Sequence, residues 1–316
     1  MTETPVNHPI RVALFISGSV LFFAIMNMFV KLAAETGLPV PQILFFRSVI
    51  GLLPILFLMA QRRNMDLFKT TRHSGHFVRS FVGFFSMCCF FWSFALLPLA
   101  NATAIHFASP LILTALAVLL LDEKVGPHRW AAVIIGLCAV LFMLQPAGNG
   151  DPIGSLVAMC AAILGAFAMI AVRKLGDTEH ALTIAFYFTL YCVFLSGVWT
   201  LFVWQTPSLL GLVYMIATGL LGGLGQVWLT YAYAKAPAAF VSVFSYLSIV
   251  FVTALDIAVW GHIPPWQVGV GSVIVMGCGM YIVYRETRKR APLASETMPC
   301  TEGEAAPTEA DRINPV

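Results

Sequence analysis

Two charged side chains stand well inside long apolar runs, and they frame the chemistry open to this sequence. Arg47 lies about six residues from the end of its run, roughly 9 Å of helix rise. That is near the limit at which an arginine reaches water along its own stem. A cation held there pairs with carbonyls or a carboxylate, so it suits either a structural clamp or contact with a bound molecule or a gate. Asp256 is the carboxylate placed inside another run, toward its end. Such a group carries protons when its pKa moves across neutrality. It equally suits capping or pairing, with Arg47 as one available partner.

Uncharged polar residues in the same runs add candidates. His106 shares one helical face with Thr103, Pro110 and Thr114. Pro110 has no N–H, so it frees the carbonyl of His106 four residues back; such a face suits a cavity wall or an interhelical hydrogen bond. Gly219, Gly222 and Gly223 continue into Gln226 and Thr230. The glycines suit close helix packing, within the chain or between copies, and Gln226 needs amide partners in an apolar interior. Ser242, Ser245 and Tyr246 offer a further polar face, with Asn27, Trp92 and Ser93 elsewhere. Glu123 follows Asp122 at the end of a run, where two anions oppose the helix dipole; Lys124 or Arg129 is placed to compensate, and a gating role is the alternative. His73 and His76 lie in a basic loop and do not form a metal set.

No catalytic residues are assigned. There is no clustered nucleophile and base and no His-Glu-x-x-His. A phosphate-cradling loop for nucleotide is absent too. The seven cysteines lack a Cys-x-x-Cys pair and read as small buried hydrophobes. No cofactor or metal is expected. The formal charge of +3, without a dense basic face, disfavours nucleic acid.

The elements that position these residues follow from composition. The 316 residues are 59% hydrophobic without counting glycine and only 10% charged, against about 25% charged in a soluble domain. The partner this demands is a lipid bilayer. Ten stretches reach or approach the roughly 20 apolar residues of a membrane helix: Arg11–Lys31, Pro41–Ala60, Phe77–Leu97, Ala100–Leu121, Arg129–Leu144, Ile153–Val172, Ala181–Trp204, Leu209–Ala234, Ala238–Trp260 and Pro265–Tyr284. Val12–Val30 reads as the first of them and not as a cleaved leader. Of 18 Lys and Arg residues, all but Lys31 and Arg47 fall on one side of this arrangement. The positive-inside bias then puts both termini in the cytoplasm. The expected fold is an all-α membrane protein of ten transmembrane helices.

A faint internal repeat aligns Ala95 with Ala232 and Ala102 with Ala239, each pair flanking a turn proline, Pro98 or Pro237. Five spans precede the Gln145–Pro152 loop and five follow, so equivalent helices run in opposite directions. Two inverted five-helix repeats, 10–146 and 153–284, with a site between them are the design of secondary transporters. Residues 285–316 read as a disordered cytoplasmic tail.

Particular motifs carry a family resemblance. Phe46-Arg47, Arg79-Ser80, Leu97-Pro98-Leu99-Ala100 with Ala102, Ser109-Pro110-Leu111, Asp122-Glu123-Lys124-Val125 and Arg129-Trp130 resemble the EamA family of the drug/metabolite transporter superfamily. Where that family often repeats a Pro and a Glu in span 9 and its exit, this chain has Tyr246-Leu247 and Trp260-Gly261. The resemblance implies substrate transport at the cell inner membrane, through a cavity lined by spans 1, 3, 4, 6, 8 and 9. The first half is similar to bacterial riboflavin or S-adenosylmethionine uptake carriers. With one deep cation, one deep carboxylate and many rings, a riboflavin-like planar heterocycle is the expected substrate. Amino-acid or metabolite export and S-adenosylmethionine uptake are the alternatives.

Overall fold

In lipid every backbone N–H and C=O must find its partner within the protein, which restricts apolar runs of this length to helices. The computed structural model describes the backbone of residues 9–61, 65–121, 126–143, 151–176, 178–235 and 244–295, and side chains there except at 9, 10, 65, 66, 181, 230, 233–235 and 286–295. Among the described residues all regular structure is helical: α1 (Pro9–Glu35), α2 (Val40–Gln61), a short turn at Met65–Phe68, α3 (His73–Leu96), α4 (Leu99–His106), α5 (Ser109–Leu120), α6 (Pro127–Met143), α7 (Pro152–Gly176), α8 (Ala181–Val203), α9 (Leu209–Lys235), α10 (Leu247–Trp260) and α11 (Trp266–Ser295). Eight stretches are long and apolar enough to cross a membrane, counting α4 and α5 as one, while α6 and α10 are shorter apolar helices.

Several helices outrun the apolar stretches that predict them. Past Lys31, α1 continues through Ala33, Ala34 and Glu35, which are strong helix formers. It stops at Gly37, whose φ of +85° is open to glycine and costly for other residues. At the other end of the chain, α11 runs on through Arg285–Arg290 to Ser295, where the sequence predicts the start of a disordered tail; residues 296–316 lie outside the described residues. Early starts matter too. Because α3 begins at His73 and not Phe77, Arg79 sits in its second turn.

The helices pair in a repeating pattern. α1 lies along α9 as α7 lies along α3, and α1 meets α10 as α7 meets α4 and α5. α2 packs on α9 as α8 packs on α3, while α2 meets α8 and α6 meets α11. Exchanging the first half of the chain for the second maps each of these contacts onto another or, for α2–α8 and α6–α11, onto itself.

Small residues make these approaches possible. Ala158, Ala161, Ala162 and Ala166 of α7 have no exposed surface, and a Cβ on Gly154 would come within 2.8 Å of Leu97 Cγ. On α9, a Cβ at Gly219 would reach 2.5 Å from Ile50 Cβ, and one at Gly223 would reach 2.7 Å from Pro54 Cγ. The glycine face considered for self-association is thus filled by α2 of the same chain. Large side chains such as Phe57, Leu201 and Phe202 point outward, the last 82% exposed, as a lipid-facing surface requires.

Overpacking at a filled glycine should be costly and filling an open one should not. Gly223→Leu is expected to lower stability by about 2 kcal/mol or more. Gly277→Ala, where nothing lies within 4 Å, should hold or raise it by about 0.5 kcal/mol. Thermal unfolding in detergent measures both; equal behaviour of the two variants contradicts the α2–α9 contact.

Candidate functional site

The fourth apolar stretch is interrupted, and the interruption has a sequence cause. α4 ends at His106 and α5 begins at Ser109, with Pro110 in its first turn. Phe107 and Ala108 form a tight turn, Ala108 N donating to Ile105 O at 3.0 Å. Tyr246 makes a second turn immediately before α10, its carbonyl accepting from Ile249 N at 3.2 Å. The two interruptions meet: the Phe107 and Tyr246 rings lie 5.3 Å apart at 33°. Interrupted helices facing each other near mid-bundle leave backbone groups free to serve a ligand or water.

One end of the bundle is closed by a charged network. Pro98 has no N–H to donate, and the next helix begins at Leu99, buried. The fully buried Asp256 of α10 caps it: Oδ2 accepts from Ala100 N at 2.8 Å. An anion at a helix N-terminus meets both free N–H groups and the favourable end of the dipole. Asp256 Oδ1 lies 4.0 Å from Lys31 Nζ and 3.2 Å from His262 Nδ1. Lys31 also donates to Leu97 O at 3.2 Å and sits 4.7 Å over the Trp260 ring. Trp260 Nε1 in turn donates to Glu35 Oε1 at 2.8 Å. α1, the α3–α4 turn and α10 are thereby tied together. The partner of Asp256 is Lys31 and not Arg47. Lys31 is only 5% exposed, because α1 carries it a full turn below the helix end.

Deeper in the bundle, polar atoms stand without partners. Asn27 Oδ1, Arg47 Nε, Ser80 Oγ, Asn101 Oδ1, Thr103 Oγ1 and His106 Nδ1 are buried and unpaired. Native interiors hold few such atoms; others lie at Ser48, His76 and Arg79, and at Thr200 on α8. His106 stacks on Phe90 at 4.1 Å. A Cβ at Gly165 would fall within 3.5 Å of it, beside Ser86 and Ser109, so His106 faces α3 and α7. Tyr246 is buried against Phe107 and the Gly279 backbone of α11. His106 and Tyr246 therefore flank the interruption from different sides, with Ser245 just before Tyr246, while half-buried Gln226 lies on α9, which packs on α1 and α2. Pro110 is exposed. Trp92 lies apart from these, 48% exposed, in a cleft with Trp199 and the Leu38–Pro41 turn. Glu123, with its neighbours 122–125, lies outside the described residues.

Arg79 is a residue the sequence reading placed at a span's basic rim. Its guanidinium sits 3.7 Å over the Phe188 ring of α8, and its Nε and Nη1 are buried without partners. A cation–π contact supplies about 0.5–2 kcal/mol and no counter-charge. The available signal was its spacing: two residues beyond the start of an apolar run that a helix enters four residues early.

Comparison with known proteins agrees with this architecture. The profile described as the EamA-like transporter family matches residues 10–145 and 152–285. A pseudopaline exporter of Pseudomonas aeruginosa is 31% identical over 270 residues, 81% of this chain and 90% of that one. A riboflavin transporter of Vibrio cholerae is 27% identical, spanning 90% of this chain and 96% of its own. An S-adenosylmethionine uptake transporter of Rickettsia prowazekii is 28% identical over 77% and 82%. A solved crystal structure covering 87% of this chain and 98% of its own superposes with a TM-score of 0.57 at 17% identity, a likeness of fold alone.

Asp256→Ala strands a buried ammonium and uncaps α4. It should cost about 3 kcal/mol, and Asp256→Asn, which keeps an acceptor for Ala100, about half that. Thermal unfolding of the detergent-solubilised protein checks the order; equal stability of Asp256→Ala and the parent would show that the cap and ion pair contribute nothing.

Proposed function

Because the chain belongs to the EamA-like transporter family and carries the apolar helices of a multi-pass inner-membrane protein, we propose that it moves a small organic metabolite by alternating access. Ten crossings form two inverted five-helix repeats, with both termini cytoplasmic. The repeats occupy 10–146 and 153–284. The observation that supports this best is the meeting of the two interrupted helices at Phe107 and Tyr246. It is where the exchange of halves maps a helix pair onto itself, and carriers of this design bind their substrate at such a place.

In this reading the Lys31–Asp256 network is the outer gate. Its bonds tie α10 to α1 and to the start of α4, so rocking one half against the other must break them. Asp256, the carboxylate at that junction, is the candidate for coupling or gating. Asn27, Arg47, His106, Gln226, Ser245 and Tyr246 line the route inward, and Pro110 acts by interrupting the helix. Trp92, turned toward the outer cleft, is the weakest member of the set.

The substrate is read as a flat heterocycle of riboflavin type, because ring stacks flank the interruption at Phe90–His106 and Phe107–Tyr246. Pseudopaline-like metabolites for export and S-adenosylmethionine for uptake are the competing substrates. Labelled riboflavin, S-adenosylmethionine and amino acids, offered to cells expressing the chain or Tyr246→Ala, decide between them. Riboflavin accumulation at least about tenfold above the variant is expected. Reporter fusions should read as external at Gly148 and Thr206 and cytoplasmic at Gly176. Transport of none of these compounds in either direction contradicts the substrate reading, and a cytoplasmic signal at Gly148 contradicts the inverted repeats.

A further inference from the structure

Two guanidiniums point into the interior from adjacent helices, and neither has a counter-ion among the described residues. Arg47, on α2, is half-buried with its Nε sealed from solvent and unpaired. The α9 backbone opposite it is bare: a Cβ on Gly222 would lie 3.8 Å from Arg47 Nε. Arg79, on α3, packs over Phe188, and a Cβ on Gly83 would come within 2.6 Å of its Nη1. α2 and α3 pack on each other and both pack on α8, where Arg79 reaches Phe188, so the two arginines enter the bundle from neighbouring helices.

The described carboxylates are all engaged elsewhere. Glu35 holds Trp260, Asp151 accepts from Ile153 N, Glu179 accepts from Thr70, and Asp256 caps α4 beside Lys31. Among the described residues the interior therefore holds two planar forks with unused donors and no acid to receive them. Guanidinium forks match carboxylate and phosphate oxygens bidentately, and an uncompensated buried cation is strongly favoured to acquire an anion.

We propose that Arg47 and Arg79 form an anion subsite that takes a carboxylate or phosphate group of the transported molecule. This rests on the reading of the chain as a small-metabolite carrier and narrows it: among ring-bearing substrates one with an anionic group is preferred, the arginines orienting that group while the aromatic residues near Phe107 and Tyr246 contact the rest. At Gly83 a side chain would collide with the Arg79 fork and the Phe188 ring, whereas at Gly222 it would meet Met26 Sδ at 2.9 Å before it met Arg47.

The test uses the full chain in nanodiscs of phosphatidylcholine, which keep anionic headgroups out. Thermal stabilisation is titrated with matched neutral and anionic probes: riboflavin and riboflavin 5′-phosphate, adenosine and adenosine 5′-monophosphate, nicotinamide and nicotinate. In at least one pair the anionic member should act at about tenfold lower concentration than its neutral partner. Arg47→Gln and Arg79→Gln should each reduce that preference to about threefold or less. If a Gln variant does not fold, Arg47→Lys or Arg79→Lys decides; either keeps the charge, loses the fork and should lower the preference by about threefold. Adding phosphatidylglycerol should leave the parent's preference in place; its loss would assign the arginines to lipid headgroups. Equal potency within all pairs, no stabilisation by any anionic probe, or a preference that survives the substitutions overturns the proposal. A preference confined to the adenosine or nicotinamide pair retains the subsite and removes the flavin reading. Stabilisation by riboflavin and its phosphate at equal potency, with no anion preference in any other pair, does the reverse.

Discussion

A helix that starts inside a membrane protein has donors with nowhere to go, and the start of α4 is such a place. Pro98 ends one segment, Leu99 begins the next with no exposed surface, and no water is at hand to take the first N–H groups. The carboxylate of Asp256 answers this from α10, a helix more than one hundred residues away in sequence. Because the acid is fully buried, it needs a cation, and α1 supplies Lys31. One unsatisfied helix end thus fixes the mutual position of three helices belonging to both halves of the chain. What locks the bundle is also reversible. Its contacts are polar and lie at one end, and few groups must exchange partners for the halves to separate.

Charge is distributed unevenly between that end and the interior. At the junction, cation and anion are matched, and Trp260 and Glu35 extend the network. Below it, Arg47 and Arg79 stand without acids among the described residues. A folded protein that keeps two such cations inside accepts a considerable desolvation cost, which a purely structural role leaves unexplained. Recognition of an anionic group, as proposed above, would supply acceptors to the unused donors of both guanidiniums.

Much of this was legible in the residues. Apolar runs located the helices, because hydrophobic length is what a bilayer selects, and Pro110 announced the interruption after His106 through the hydrogen bond it cannot make. The break at Tyr246 has no proline to announce it; tertiary contact with Phe107 and Gly279 stands in its place. Lys31 was hidden for a different reason. Counting loop charges treats a lysine near a run's end as solvated, whereas α1 continues to Glu35 and carries it into the bundle. Arg79 was hidden likewise, since α3 begins before its apolar run does. Pairings such as Asp256 with Ala100 N lie beyond any local pattern, for they depend on which helices become neighbours.

The central claim is that the Asp256 junction holds the outer end shut and yields as the halves move. Spin labels at Thr36 and Ile263, both on exposed turns beside the junction, report this directly by pulsed dipolar distance measurement in a background cleared of native cysteines. The parent should give one short, narrow distance. Asp256→Asn, with the ion pair to Lys31 removed, should add a second population several ångströms longer, as expected if a few kcal/mol of junction energy sets the balance. An identical single distance in parent and variant would contradict the account.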